Sequence, residues 1–382
     1  MKFGILTQPL CNNYGGLLQA WALQRTLHSL GHDAVIINRK AIRQQDLGFL
    51  HRIACKAKVE LYIRTGRMKR RPQISTSQYN YIHKNLIPFI HHRYLGISPD
   101  LFTEKQLLTF VNHEKFDGFI VGSDQVWRPE YSPELKDYFL AFAKDMPNIK
   151  RIAYAASFGI DSWSFNKKQT AMAFALAPKF DLITVRESSG IDLVAHHLKC
   201  HSQLVLDPTM LLDESNYRNL IEKPTIPLYE SDGELFCYVL DQSPILEHTI
   251  NSCAKSLNYR PFRCNATRKV ETYDDLKHLD ECIFPAVEQW IKSFLDSQMV
   301  VTDSFHGTVF SLIFNKPFWV VVNKNRGTTR FSSLLKLFGL EHRIITNSSN
   351  INWNQHIDWN KVNSIRLEQA NRCRALLCHA LS

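Results

Sequence analysis

The sequence predicts two α/β halves facing a cleft, each a parallel sheet covered by helices on both faces. Three observations carry this. Apolar runs of strand length alternate with helical segments, which is the pattern of βαβ units. Several runs end in small and polar residues, as at Gly122-Ser123-Asp124, Ala156-Ser157, Arg186-Glu187-Ser188 and Asp303-Ser304. A chain of 382 residues is also too long for one ordinary core, and proline with short polar residues at Asp207-Pro208-Thr209 marks a hinge after which the pattern restarts.

The first half opens with a strand over residues 2–7, a turn at Asn12-Asn13-Tyr14-Gly15-Gly16, a helix over 17–30 closed by Gly31, and a strand over 34–37. The glycine turn lacks the Gly-x-Gly-x-x-Gly spacing of a dinucleotide site and reads as a pocket wall. Strands follow at 119–121, 152–155, 182–185 and 203–206, with helices at 167–177 and 191–197. The second half has strands at 235–240, 261–264, 299–302 and 319–322, with helices at 245–257, 286–297, 331–337 and 361–381. The expected division is 1–205, with a basic insertion at about 40–115, then 206–360, then a C-terminal helix over 361–382 packing back on the first half.

Composition is that of a soluble globular enzyme, with 45% hydrophobic and 21% charged residues. The start carries one positive charge and too short an apolar run for a secretory segment. The apolar stretch 309–322 is broken by Asn315, Lys316 and Pro317, which excludes a span there. A cytoplasmic protein is expected. Nine cysteines without a Cys-x-x-Cys pair read as reduced thiols. The pairs His91-His92 and His196-His197 do not share a helix face, and no Asp-x-Asp stands at a strand end, so no metal is expected.

The net charge of +10 is concentrated. Between Arg39 and Arg71 run Arg43, Arg52, Lys56, Lys58, Arg64, Arg67, Lys69 and Arg70, opposed by Asp46 and Glu60, with apolar residues near helical spacing. Such a helix suits an anionic membrane surface or a diphosphate-bearing partner, and a solvated insertion is the other reading. No stacking pattern or recognition motif accompanies the charge, so nucleic acid is not expected.

Residues 300–314 concentrate the chemistry: an apolar strand, a polar knot Thr302-Asp303-Ser304-Phe305-His306, Gly307, then an apolar helix. In open α/β sheets ligands bind at such carboxyl ends. His306 is the candidate for proton transfer, its alternative a buried structural donor. Asp303 and Asp124 are candidates to deprotonate hydroxyls or orient His306, with a helix cap the other reading of Asp303. Arg186, at a strand end, is the best anion-binding candidate, with a carboxylate salt bridge as its alternative.

The set Asn13-Tyr14-Gly15-Gly16 with Leu18-Gln19-Ala20, Gly122-Ser123-Asp124-Gln125-Val126-Trp127, Val185-Arg186-Glu187, Leu206-Asp207-Pro208-Thr209 and Thr302-Asp303-Ser304-Phe305-His306-Gly307 resembles the polysaccharide pyruvyl transferase family. Each motif alone is weak, and five in this order are specific. The resemblance implies two Rossmann-like domains similar to the GT-B glycosyltransferase fold. It also implies transfer of pyruvate from phosphoenolpyruvate to a hexose hydroxyl pair, with galactose the expected sugar, forming a cyclic ketal and releasing phosphate. The implied acceptor is a lipid-diphosphate-linked oligosaccharide or a surface polysaccharide precursor, as in capsule or exopolysaccharide assembly. No cofactor is implied beyond phosphoenolpyruvate as co-substrate, and the basic run near 64–71 would dock at the inner face of the membrane.

Family members can carry a donor-gripping arginine two positions before the last histidine, where this chain has Ser304. The expected donor set is therefore Arg186, Ser304 and Gly307 with Lys324, Arg326 and Arg330 as replacement cations, and the acceptor set is Asn13, Tyr14, Trp127, Tyr154 and Ser157. Two alternatives stand beside this reading: a nucleotide-sugar glycosyltransferase and a non-catalytic glycan-binding protein of the same fold.

Overall fold

The computed structural model describes residues 1–42, 72, 74–94, 96–322, 327–346 and 351–382. Two all-parallel sheets organise them. The first has six strands, β1 (Lys2–Leu6), β2 (Asp33–Ile36), β3 (Gly118–Val121), β4 (Lys150–Ala156), β5 (Leu182–Val185) and β6 (Gln203–Leu204), in the order β2-β1-β3-β4-β5-β6. The second has five, β7 (Leu235–Tyr238), β8 (Pro261–Phe262), β9 (Met299–Thr302), β10 (Phe318–Val321) and β11 (Ile344–Ile345), in the order β11-β10-β9-β7-β8.

Central strands are buried throughout because helices cover both faces, which is why β3 and β9 read as unbroken apolar runs. Ile5 pairs with Ile36 on one side and Ile120 on the other, and Val300 likewise lies between Phe236 and Phe318. One apolar cluster runs through both halves, from Tyr14, Trp21 and Tyr217 to Trp290, Phe294 and Phe310. Separate clusters cover the remaining faces of the first and second sheets.

Strand order reverses between β1 and β3 in one sheet and between β7 and β9 in the other. At such a reversal the loops leave in opposite directions and open a crevice at the carboxyl ends. Asn13 and Asp124 follow the strands of the first reversal, and Asp303 to Gly307 follow a strand of the second.

Within the expected basic insertion, helices span Thr76–Ile82, Ile87–Arg93 and Glu104–Glu114. Capping boxes start two of them, Ser75 with Gln78 and Thr103 with Gln106, each reciprocally satisfying first-turn N–H groups. The run 64–71 lies outside the described residues, as do Lys324 and Arg326. The final helix, Trp359–Leu381, lies along the end of the first sheet. There Arg372 Nη2 donates to the Leu204 carbonyl at 2.8 Å and the Leu206 N–H donates to Cys373 Sγ at 3.4 Å.

Candidate active site

Five strand ends supply the site. After β1 the chain turns through Asn13 into the helix Tyr14–Ser29. Asn13 stands at the N-cap, but its Nδ2 donates to Asp124 Oδ2 at 3.3 Å instead of its side chain capping the helix. After β3, Ser123 Oγ donates to Asp207 Oδ2 at 3.0 Å, and Asp124 occupies a left-handed conformation (φ 72°) that aspartate tolerates. β5 delivers Arg186 and Glu187. β6 leads to Asp207, whose Oδ1 accepts from the Thr209 N–H at 3.0 Å and the Thr209 hydroxyl at 2.7 Å.

β9 leads to the helix Phe305–Ile313. Thr302 Oγ1 takes the Ser304 N–H at 3.0 Å, and Ser304 Oγ takes the Gly307 N–H at 3.3 Å, so the polar knot is first of all a helix start. His306 follows in the first turn, 6% exposed.

The centre is a buried charge cluster drawn from both halves. Arg186 donates through Nη1 to Asp207 Oδ2 at 3.0 Å and through Nη2 to Asp124 Oδ1 at 3.3 Å, with its guanidinium 4.4 Å over the Phe305 ring. His306 Nε2 stands 3.5 Å from the same Asp207 oxygen, an ion-pair separation longer than a good hydrogen bond. Burial alone would raise the Asp207 carboxyl. The interaction with His306, then the charge of Arg186 and the Thr209 hydrogen bond, instead carry it far below the usual carboxylate range. Glu187 goes the other way: burial raises it, more than Arg186, Ser157, Arg330 and the Phe158 N–H lower it.

The cluster thus brings together Asp124, Arg186 and His306 with Asn13 at its edge, and several expectations change. Arg186 faces two carboxylates across its fork, so the salt-bridge reading describes the arginine in this state. The carboxylate at His306 Nε2 is that of Asp207, which the sequence reading placed in a motif without giving it a role. Asp303 accepts the amides of Leu240 at 2.8 Å and Asp241 at 2.9 Å, tying the end of β7 to that of β9.

Gly307 lets the helix sit on its strand, since a Cβ there would lie 2.3 Å from Thr302 Oγ1. Arg330 is buried, 5.2 Å over the Phe331 ring. Among the acceptor candidates, Trp127 is fully buried, donates to the Tyr138 carbonyl at 2.9 Å and stacks on Phe139, so it belongs to the core. Tyr154 is equally buried, its hydroxyl on the Leu206 carbonyl at 3.2 Å. Ser157 is enclosed, its Oγ accepting the Gly159 N–H at 3.0 Å. Tyr14 joins the halves by stacking on Trp290 at 5.5 Å and donating to the Pro285 carbonyl at 2.9 Å.

Comparison with solved structures gives the fold. Arabidopsis thaliana UGT89C1, complexed with UDP-L-rhamnose, is similar over 99% of this chain and 98% of its own, with TM-score 0.50 and 8% identity. The UDP-GlcNAc 2-epimerase of Neisseria meningitidis bound to UDP-GlcNAc is similar over 100% and 99%, with TM-score 0.46 and 9% identity. The architecture is that of the GT-B enzymes, two Rossmann-like units with a cleft between them. No curated protein matches the sequence. The family model for polysaccharide pyruvyl transferase matches residues 13–325, from the Asn13 turn to just beyond β10 and across every motif of the charge cluster, and the chain belongs to that family.

Proposed function

We propose that this chain transfers pyruvate from phosphoenolpyruvate to a hydroxyl pair of a hexose, galactose first, on a lipid-diphosphate-linked oligosaccharide or polysaccharide precursor. A cyclic ketal forms and phosphate is released. Family membership supports pyruvyl transfer in polysaccharide synthesis. The observation that carries the finer reading is His306, a proton-transfer group beside a buried carboxylate at the meeting of two strand-order reversals.

The chemistry asks for two rounds of proton exchange. Protonated His306 gives its proton to the methylene carbon of the enol ester, and C2 becomes electrophilic. The first hydroxyl oxygen bonds to C2 and its proton returns to the ring. The C2–O bond to phosphate then breaks, the phosphate leaving with that bond pair and the ring proton. The second hydroxyl oxygen bonds to C2, its proton recharging the imidazole. On this reading the donor's anionic groups are met by Arg186, His306 and Arg330. The chain would work in the cytoplasm at the inner face of the membrane. Among the described residues no helix is long and apolar enough to cross one.

The test is incubation with phosphoenolpyruvate and a lipid-diphosphate galactoside. Phosphate release together with an acid-labile pyruvate mass gain on the acceptor is expected, and the absence of both overturns the proposal. His306→Ala should abolish turnover while leaving the melting temperature near that of the parent. A nucleotide-sugar donor is the rival suggested by the fold, and stabilisation by UDP or GDP but not by phosphoenolpyruvate would favour it.

A further inference from the structure

We propose that His306 acts through Nδ1, and that Asp207 is the positioning residue that fixes this by holding the proton of Nε2. The two imidazole nitrogens point in divergent directions, so a partner at one decides what the other can do. Nε2 is enclosed and faces Asp207 Oδ2 at 3.5 Å, in a site where that carboxylate is itself fully buried. Nδ1 is turned toward Gly15, the second residue of the helix Tyr14–Ser29. A Cβ on Gly15 would lie 2.0 Å from Nδ1, so only glycine leaves room for the ring in this position.

Asp207 is built to hold still. It accepts from Ser123, Arg186 and both donors of Thr209, Ser123 and Arg186 following strands of the first sheet while His306 follows one of the second. The carboxylate that faces the ring is that of Asp207, which Arg186 ties to Asp124. The resting separation of 3.5 Å suits a bond that shortens when the ring is charged, because catalytic hydrogen bonds often tighten only in the substrate complex. When Nδ1 gives up its proton, the ring is left as the Nε2–H tautomer, which Asp207 accepts from. When Nδ1 takes a proton back, the resulting positive charge faces the Asp207 carboxylate.

What Nδ1 does rests on the pyruvyl-transfer reading, but the tautomer is measured without substrate, so the two fail separately. Long-range proton–nitrogen correlation on protein labelled with 15N-histidine reads it, the His306 signals being assigned by their loss in His306→Gln. The expected wild-type result at alkaline pH is a protonated Nε2 and a bare Nδ1. A protonated Nδ1 overturns the proposal.

In Asp207→Asn the Nε2–H population should fall. The kcat with phosphoenolpyruvate should drop about 100-fold or more, the scale of general acid–base catalysis, while KM changes little. A folded Asp207→Asn protein with the parental tautomer and kcat assigns Asp207 to structure alone and overturns its positioning role.

Discussion

Arg186 shows how much of this site is decided by the shape of one side chain. Its planar fork reaches Asp207 and Asp124 at once, at 3.0 and 3.3 Å, while its side chain is 1% exposed. Lysine carries the same charge as a single point and cannot span both oxygens. Arg186→Lys should therefore destabilise the fold by about 3 kcal/mol, the cost of breaking a buried pair, measured by chemical denaturation. Beside it, Glu187 is a carboxyl raised by burial, held by the Phe158 N–H at 3.1 Å on one oxygen while the other has no hydrogen-bond partner. A group whose folded pKa is raised contributes stability that is present below its unfolded value, about 4.3, and lost as pH rises through the folded one. Glutamine does not titrate. The melting temperature of Glu187→Gln should thus gain on the parent as pH climbs from about 4 toward neutrality, and a gap that is flat or closes would contradict the assignment.

At the scale of elements, the start of the helix Phe305–Ile313 matters most, because it sets the position of His306. Ser304→Ala removes the cap on the Gly307 N–H and should cost about 1 kcal/mol, with a fall in kcat as the first turn frays. This start was legible in the sequence, since an apolar strand, a serine and an apolar helix specify their own boundary. β3, β5 and β9 were legible for a similar reason: strands buried on both faces or nearly so read as continuous apolar runs. The helices Thr76–Ile82 and Glu104–Glu114 fell inside a stretch read as a basic insertion, although Ser75-x-x-Gln78 and Thr103-x-x-Gln106 are capping signals that would have found their starts. Trp127 and Tyr154 were misplaced because proximity to a strand end says nothing about direction. Each aims its polar atom at a core carbonyl, of Tyr138 and of Leu206. Asp207 could not have been matched to His306 from spacing, because the pairing exists only once two sheets face each other.

At the scale of the molecule, the charge cluster is enclosed among the described residues. Arg186 and His306 are 4% and 6% exposed, and the cavity beside Arg186, Asp207 and Phe305 holds about 50 Å³. A water's share of liquid volume is about 30 Å³, so this space takes one or two waters. We expect substrates to enter by parting the halves, whose contacts on this side of the cleft are small and polar. Ser188 Oγ lies 2.8 Å from Ser333 Oγ, the Ser188 N–H donates to the same oxygen at 3.1 Å, and a Cβ on Gly327 would meet the Gly159 carbonyl at 2.6 Å. A covalent link at the serine pair would hold the cleft shut without touching the charge cluster. Ser188→Cys with Ser333→Cys should keep its activity when reduced, lose at least about tenfold when oxidised, and recover with dithiothreitol, while the parent treated alike stays constant. Intact-mass measurement reports whether the disulfide forms. Full turnover by a fully crosslinked protein would mean that substrates reach His306 by another path.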